Sequence, residues 1–470
     1  MRVLLIAGLL GLFALRSFGQ KVVVLPYLQP GGESALEGYD SKVVAWMTDQ
    51  KAGDFVVEYG PSPAYGQKAS PERRTLQPSA KQRYFTYSAL LTNLSPNSRV
   101  YYRVALGEKT VRESSFATRK TPDETVRFAV MGDMADGRTN SRSIAWELSK
   151  VRPELLVICG DIVYSRGRVS EYMTNFWPVY SNVRDPSPKN GFPLMAGTVF
   201  YPVLGNHDVG ATNLAGVPDG FGAFYFFHPP LNGPTNGRWN TPVAGSPRQK
   251  EAFKAAAGPA YPGLCNYSFD NGAGHFLCLD ANRYVPVTDT DLQAWIRRDL
   301  TQSKAKWKMV FFHHPGFNSS KTHNSEQKMR LLAPLFEQCG VDVVFAGHVH
   351  NYQRSKPLRF APDDPRRLSA SGLVHGVFRL DEVFDGIEHT RPDGILYLVT
   401  GGGGASLYDK DFTDKPEKWK NDPWAVVPFT AKFYSDRHSF TVVDMTPDKL
   451  SIRQLNDRGE QVDRITVTKP

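Results

Sequence analysis

Five short apolar runs in this chain end in residues that bind metal ions. They are Phe128-Ala-Val-Met-Gly-Asp133, Leu155-Leu-Val-Ile-Cys-Gly-Asp161, Tyr201-Pro-Val-Leu-Gly-Asn206-His207, Met309-Val-Phe-Phe-His313 and Val343-Val-Phe-Ala-Gly-His348-Val-His350. A short continuous apolar run reads as a buried strand. An Asp, Asn or His directly after it is delivered to one rim of the sheet, and the carboxyl ends of parallel strands open onto a common crevice. Hard carboxylates suit a trivalent ion, whereas imidazoles and an amide suit a divalent neighbour. Two ions roughly 3.5–4 Å apart can hold both the attacking and the leaving oxygen of an in-line displacement.

These donors need elements to position them. From Thr125 onward strands alternate with expected helices at Ser141–Val151, Ser170–Val183, Thr290–Ser303 and Ser325–Gln338, the last two starting at Thr or Ser caps. Further strands are expected at Gly394–Thr400, Phe440–Asp444, Lys449–Leu455 and near Val462–Val467. Three irregular stretches interrupt the pattern: Asp185–Gly197, Asn213–Gly258 and Pro357–Pro392. Such a chain suits two stacked sheets with helices outside. Before Thr125, residues Lys21–Arg119 read as an all-β module, with strands at Lys42–Thr48, Phe55–Tyr59, Arg83–Leu91, Val100–Leu106 and Val111–Thr118. Regular turn signals between them favour a sandwich. The stretch from Leu94 to Val104 resembles the tyrosine corner of fibronectin type III domains, and Lys120–Glu124 reads as a linker.

The order Gly132-Asp133, Gly160-Asp161-Ile-Val-Tyr164, Gly205-Asn206-His207-Asp208, Val310-Phe-Phe-His313 and Gly347-His348-Val-His350, followed by Asn351-Tyr352-Gln353-Arg354, resembles the purple acid phosphatases. The five motifs are specific as a set. Generic metallophosphoesterases carry Asp-x-His at the first motif. Here Asp133-Met134-Ala135 has no His, and Tyr164 stands three residues after Asp161. The resemblance implies an α+β chain: a fibronectin-like sandwich over 21–119, then a four-layer α/β/β/α metallophosphoesterase domain with two mixed sheets over 125–470. It implies that Asp133, Tyr164 and His350 bind Fe(III), that Asp161 bridges, and that Asn206, His313 and His348 bind a divalent Fe, Zn or Mn. His207 would contact phosphate or protonate the leaving group, with Asp208 orienting its imidazole. His323, ten residues beyond His313, lies at the offset of a substrate-facing His in plant members. Imidazoles titrate near weakly acidic pH, which suits a general acid. Arg354 would fix a carboxylate behind the ligands.

The chain departs from the family at the first motif. Ala135 occupies a position where Gly is expected, and Gly137 follows two residues later. The turn there must therefore differ. Asp136 adds charge nearby, read here as surface solvation. His228, His275, His375 and His389 fall outside the motifs, and His438 precedes a strand. Gly401–Gly404 lacks the Gly-Lys-Ser/Thr ending of a nucleotide loop and reads as backbone passing close to the centre.

Bulk properties set the remaining bounds. The chain has 470 residues, 41% apolar and 22% charged, which implies more than one core. The formal charge of +9 reads as solubility, and no Lys/Arg stripe interleaved with aromatics suggests nucleic acid. Arg2, the apolar run Val3–Leu15, and Ser17 and Gly19 before Gln20 form a signal-peptide pattern over residues 1–19. The mature protein is therefore expected to be secreted or periplasmic, without a membrane anchor. The four cysteines, Cys159, Cys265, Cys278 and Cys339, make no disulfide framework, and Cys265 and Cys278 flank an expected hairpin at non-facing positions. The function implied is hydrolysis of small phosphomonoesters by in-line attack of a metal-bound hydroxide at an Fe(III)–M(II) centre. The alternatives are a phosphodiesterase on the same core, or an extracellular binding protein with a vestigial metal site.

Overall fold

The computed structural model describes residues 21–32, 35–36, 38–210, 212–235, 237–412, 415–421 and 428–469; the expected signal segment, 1–19, lies outside them. The first eight strands are β1 (Val22–Pro30), β2 (Asp40–Thr48), β3 (Phe55–Gly60), β4 (Gln67–Ala69), β5 (Glu72–Ser79), β6 (Gln82–Leu94), β7 (Arg99–Leu106) and β8 (Lys109–Ala117). They form two four-stranded sheets, β1-β2-β6-β5 and β4-β3-β7-β8. Side chains alternate sides along a strand, and β7 obeys this: Val100, Tyr102 and Val104 are buried while their neighbours are not. The sequence reading missed β1, β4 and β5. All three are edge strands. Pro26 interrupts the first, and charged or polar residues fill the others, as edges allow.

The expected tyrosine corner takes a different form. Tyr102 Oη donates 2.8 Å across to the carbonyl of Ala196, outside the sandwich, rather than to backbone just upstream. Arg112 adds bonds to the carbonyls of Pro26 and Ser181, and Asn182 pairs with the Leu25 N–H and Val23 carbonyl. The Asp185–Gly197 stretch and the turn before it thus dock the sandwich.

Fifteen strands follow: β9 (Val126–Met131), β10 (Leu155–Ile158), β11 (Val199–Pro202), β12 (Asn266–Asn271), β13 (Gly274–Leu279), β14 (Trp307–Phe312), β15 (Val343–Ala346), β16 (Tyr352–Ser355), β17 (Leu358–Pro362), β18 (Gly376–Leu380), β19 (Leu396–Thr400), β20 (Thr430–Tyr434), β21 (Ser439–Met445), β22 (Lys449–Asn456) and β23 (Gln461–Thr468). Two mixed sheets result, β11-β10-β9-β21-β22-β23 and β12-β13-β14-β15-β19-β16-β20. Within them β9, β10 and β11 run parallel, as do β13, β14, β15 and β19. Period two divides the cores. Met309 and Phe311 of β14 join the core shared with β9, whereas Val310 and Phe312 join a second core with helix Thr290–Gln302. A stack of Tyr201, Phe269, Phe276, Phe311 and Phe345, with rings within 12° of parallel between neighbours, links the two sheets.

Helix Asn140–Val151 matches expectation closely. Thr290–Gln302 is capped one position earlier than expected, by Asp289, which accepts from the Asp291 and Leu292 amides, so Thr290 is its first residue. The stretch expected as one helix over Ser325–Gln338 is a 3₁₀ turn, Lys328–Leu332, and a short helix, Ala333–Gln338, with Ser325–Gln327 left irregular. The run from Val169 to Tyr180 is helical but contains a π turn at Tyr172–Phe176. The Pro/Gly-rich insert Asn213–Gly258 holds an unexpected helix, Pro247–Ala257, capped by Ser246 with Gln249 reciprocating. All four cysteines are free and buried, and Cys278 faces Tyr267 in the β12–β13 ladder rather than Cys265.

His275 on β13 is a buried imidazole held at both nitrogens, by Asp270 at 2.7 Å and Asp299 at 2.8 Å. Burial lowers its pKa, but hydrogen bonds and charge from Asp270 and Asp299 hold it at about 9. A folded value above the unfolded one, roughly 6.5, means the stabilisation is fully present below pH ~6.5 and is lost as pH rises through about 9. We expect wild type to exceed His275→Gln in stability by about 2–3 kcal/mol at pH 6, with the gap closing by pH ~10. Denaturant melts of both proteins across this range check it; a pH-independent gap would refute it.

Candidate metal centre

The two sheets meet at their carboxyl rims. Asp133 follows β9 by two residues, Asp161 follows β10 by three and Asn206 follows β11 by four. From the other sheet, His313 follows β14 directly and His348 follows β15 by two. Three further backbone facts aim these donors. Asp133, Asp161 and His348 all take left-handed φ, at 61°, 49° and 68°. Such conformations cost roughly 1–2 kcal/mol each outside glycine, so surrounding contacts must enforce them.

The donors gather in two trios. In the first, Tyr164 Oη lies 3.0 Å from Asp133 Oδ1 and 3.0 Å from His350 Nε2, and His350 Nε2 lies 3.3 Å from Asp133 Oδ1. In the second, His313 Nε2 lies 3.0 Å from Asn206 Oδ1 and 3.2 Å from both His348 Nδ1 and Asp161 Oδ2. Asp161 is also grouped with Asp133, which places it between the trios. Each aspartate uses one oxygen inward and gives the other to a backbone amide: Asp133 Oδ2 accepts from His348 N at 2.8 Å, and Asp161 Oδ1 from His207 N at 2.8 Å.

The outward ring nitrogens are already committed. His313 Nδ1 lies 2.7 Å from the Cys159 carbonyl and His350 Nδ1 lies 2.7 Å from that of Ser406. A carbonyl only accepts, so both Nδ1 atoms carry the hydrogen and both Nε2 atoms present lone pairs. Lone pairs of Nε2, amide oxygen and carboxylate therefore face one another at about 3 Å, which is stable only around a positive charge. Ligands bound at roughly 2.0–2.1 Å with neighbouring bonds near right angles stand about 3 Å apart, so the residues present fit two metal ions. Electrostatics agree. Burial depresses the His313 imidazole, but Asp161 overrides it and raises the ring to about 10, so Nε2 binds a cation there: a proton, or a metal ion that displaces it. Asp161 is buried, yet the His313, His207 and His348 imidazoles keep it well below the usual carboxylate range. Burial, then Asp133 and Asp161, push the Tyr164 phenol well above its ordinary value, so a phenolate there requires a nearby cation.

Ala135 has a definite task. The segment Asp133–Ala135 runs beside Gly160–Tyr164, with amides of Asp133, Met134 and Ala135 donating to the carbonyls of Gly160, Asp161 and Ile162. The Tyr164 amide then donates to Ala135 at 3.2 Å. This bridge sets the Tyr164 phenol against Asp133. The left-handed turn falls two positions later, at Gly137 (φ +88°). Asp136 is half-buried and accepts from the Arg138 amide at 2.9 Å.

One expected role changes. Asp208 does not orient His207: its buried carboxylate accepts from the amides of Ile162 at 3.0 Å and Gly205 at 2.9 Å. His207 is held instead by the Ser165 carbonyl, 2.7 Å from Nδ1. The carboxylate that Arg354 fixes is Asp463, at 2.6 Å, which also accepts from Tyr352, so the pair ties β16 to β23. His323 is brought to the centre, its ring 3.9 Å from that of His348.

Four participants fall outside the sequence motifs. Glu326 bonds His323 Nδ1 at 2.9 Å and lies 3.3 Å from His348 Nε2. Tyr408 stacks on His350 at 4.0 Å and 11°. Asn282 Nδ2 donates to the carbonyls of Leu204 at 3.2 Å and Gly205 at 3.4 Å, bracing the segment that carries Asn206. His314 is buried behind His348, 4.3 Å ring to ring. Of these, only the Asp280-x-Asn282 spacing after an apolar strand repeats the signal that found the ligands. His438 sits behind the glycine turn, with Nε2 3.0 Å from the Ala405 carbonyl.

Comparison with known proteins points the same way. Residues 126–352 match the family model described as calcineurin-like phosphoesterase, and residues 33–118 match the purple acid phosphatase N-terminal domain. Purple acid phosphatase 18 of Arabidopsis thaliana is 25% identical over 343 residues, covering 70% of this chain and 67% of the relative. Phosphoenolpyruvate phosphatase of Allium cepa is 29% identical over 380 residues, covering 78% of this chain and 68% of the relative. The solved purple acid phosphatase from yellow lupin (Lupinus luteus) seeds shares the fold, with a TM-score of 0.64 and 16% identity over 94% of this chain and 74% of that one.

Glycines line the convergence where no side chain fits. A Cβ on Gly347 would lie 2.4 Å from the Cys159 carbonyl oxygen and 2.8 Å from Asp133 Oδ2; on Gly401 it would lie 2.7 Å from Asp133 Oδ2. Gly347→Ala is expected to cost about 1–3 kcal/mol and to lower bound metal, measured by elemental analysis, to under about half of wild type, because both partners are fixed. Gly216→Ala, whose Cβ would meet nothing nearer than 3.9 Å, is the control. Full metal content in the Gly347 variant would show that the collar does not set ligand placement.

Proposed function

The chain belongs to the purple-acid-phosphatase-like metallophosphoesterases, a family of hydrolases, and on that premise we propose that it is an exported phosphatase that hydrolyses small phosphate monoesters at a binuclear Fe(III)–M(II) centre. The observation that carries this reading is the pair of donor trios meeting at Asp161, with a tyrosine in one and an amide in the other. Asp133, Tyr164 and His350 would hold Fe(III), Asp161 would bridge, and Asn206, His313 and His348 would hold a divalent Fe, Zn or Mn. When bound, the ions supply Lewis-acid activation of water and neutralise phosphate oxygens.

The chain's own groups do the rest. His207 stands at the rim with its side chain 34% exposed. The Ser165 carbonyl holds Nδ1–H, so it is the doubly protonated ring whose Nε2–H can hydrogen-bond the ester and pass its proton to the departing oxygen, leaving the neutral Nδ1–H imidazole. His323 is anchored at Nδ1 by Glu326, so its other nitrogen is the one that can face substrate. Hydrogen bonds from His323 and His348 hold Glu326 well below the usual carboxylate range, which keeps it an acceptor for both rings. Residues 21–119 and 125–470 are assigned as the fibronectin-like and catalytic domains, and 1–19 as a signal peptide cleaved after Gly19. No helix among the described residues is long and apolar enough to cross a membrane.

Asp161→Ala and His350→Ala should each lose metal and reduce turnover of phenyl phosphate by at least about a thousandfold; full activity in either sinks the assignment. Wild type should show a broad visible absorption band that Tyr164→Phe removes; an active, colourless wild type with two divalent ions would keep the phosphoesterase and discard the iron–tyrosinate centre. His207→Ala should lower kcat by about 10²–10⁴ with metal content unchanged. Turnover of an aryl monoester against the matching diester separates the monoesterase from a diesterase on the same core.

A further inference from the structure

Beside His348, one of the second trio, lies a cavity of about 410 Å³, within the range of roughly 300–1,000 Å³ in which proteins hold small organic ligands. The metal centre and the cavity share a wall. Glu326 lines the cavity while touching His323 and His348, and His314 lines it while packing on His348. The opposite wall comes from the connection between β17 and β18, part of the irregular stretch that no motif explains. That loop is clasped onto the centre: the Gln327 amide donates to the Gly372 carbonyl at 3.2 Å, and the Val374 amide to Gln327 Oε1 at 3.0 Å. It places Leu368 and Ala370 opposite Ala281 and Arg283.

We propose that this cavity receives the leaving group of the ester, and that Arg283 selects phosphate monoesters whose leaving group carries a second anionic group, such as a carboxylate. Two features carry the inference. Leu368, Ala370 and Ala281 offer an apolar wall to a carbon skeleton, while the Arg283 side chain, 88% exposed, stands at the mouth. Its carboxylate partner is Glu326 at 3.6 Å, already bonded by His323. At 3.6 Å, with only Arg283 well exposed and Glu326 23% exposed, this contact holds the guanidinium weakly, so the guanidinium can turn to a planar anion in its two-pronged geometry. The floor is closed by the His314 side chain, 6% exposed. The inference rests on the phosphatase reading above.

The test uses the metal-loaded full chain with phenyl phosphate and 4-carboxyphenyl phosphate, and, by calorimetry, the non-hydrolysable benzylphosphonate and its 4-carboxy derivative. Wild type should favour the carboxylated member of each pair by about tenfold in kcat/KM and in Kd. Arg283→Gln should bring both ratios to within about twofold of unity, and Arg283→Lys should keep part of the preference. Arg298→Gln, on an exposed turn of helix Thr290–Gln302, should keep all of it. Equal use and binding of the two members by wild type, or a preference that survives Arg283→Gln, overturns the subsite while leaving the phosphatase intact. Failure of loaded wild type to hydrolyse either ester removes the phosphatase reading and the subsite together.

Discussion

The carbonyl oxygen of Cys159 is the contact on which the centre turns. It lies one residue past β10 in one sheet and accepts a 2.7 Å hydrogen bond from Nδ1 of His313, the residue just past β14 in the other. That bond keeps the hydrogen on Nδ1, so Nε2 is the nitrogen turned to Asn206 and Asp161 and the one that binds a cation between them. It also fixes how closely the sheets approach, and Gly347 is squeezed between the same carbonyl and Asp133. A second tie lies nearby. The Gly132 amide donates to the Thr400 carbonyl at 2.9 Å, and Thr400 Oγ1 returns a 3.2 Å bond to Val130. Sheet spacing and ligand geometry are therefore one quantity.

The price of this arrangement is local. Three donor residues adopt left-handed backbone, and buried carboxylates and imidazoles are crowded within hydrogen-bonding distance. Division of labour within each aspartate limits the cost, since a backbone amide satisfies one oxygen and leaves only the other to the cation. The aromatic stack from Tyr201 to Phe345 lies beneath this rim and gives the sheets a rigid common base. A strained, charge-dense rim on a stiff apolar base is the arrangement expected where structure is preorganised for chemistry.

What could be read from the sequence follows the range of the physics. Strand-terminal donors were legible because a buried strand announces itself by a continuous apolar run, and the next residue inherits its position; Asp133, Asp161, Asn206, His313 and His348 all follow that rule. Tyr164 was legible only through the family resemblance, since its approach to Asp133 depends on a backbone bridge at Ala135. Glu326 and Tyr408 carry no such mark. Each reaches the centre from an irregular segment whose path is set by tertiary contacts, and Glu326 lies in a stretch whose residue pattern suggested helix. Asp208 and Arg354 stand next to motif residues, but adjacency in sequence did not decide their partners: backbone amides claimed the first and Asp463 the second. The edge strands β1, β4 and β5 were hidden for the opposite reason, because a strand with one solvent-facing side need not look like a strand.

β9, which delivers Asp133, pairs on one side with β10 and on the other with β21, and the facing residues Arg127 of β9 and Asp444 of β21 are 317 positions apart. A strand flanked by so distant a neighbour is completed late, since long loops must close before their contacts repay them. The rim therefore takes its final spacing only after nearly the whole chain is present to be threaded into the sheet. A metal centre on this rim is then filled in the surroundings of the finished protein, not in those of its synthesis, and the ions available wherever folding ends become part of what specifies the enzyme.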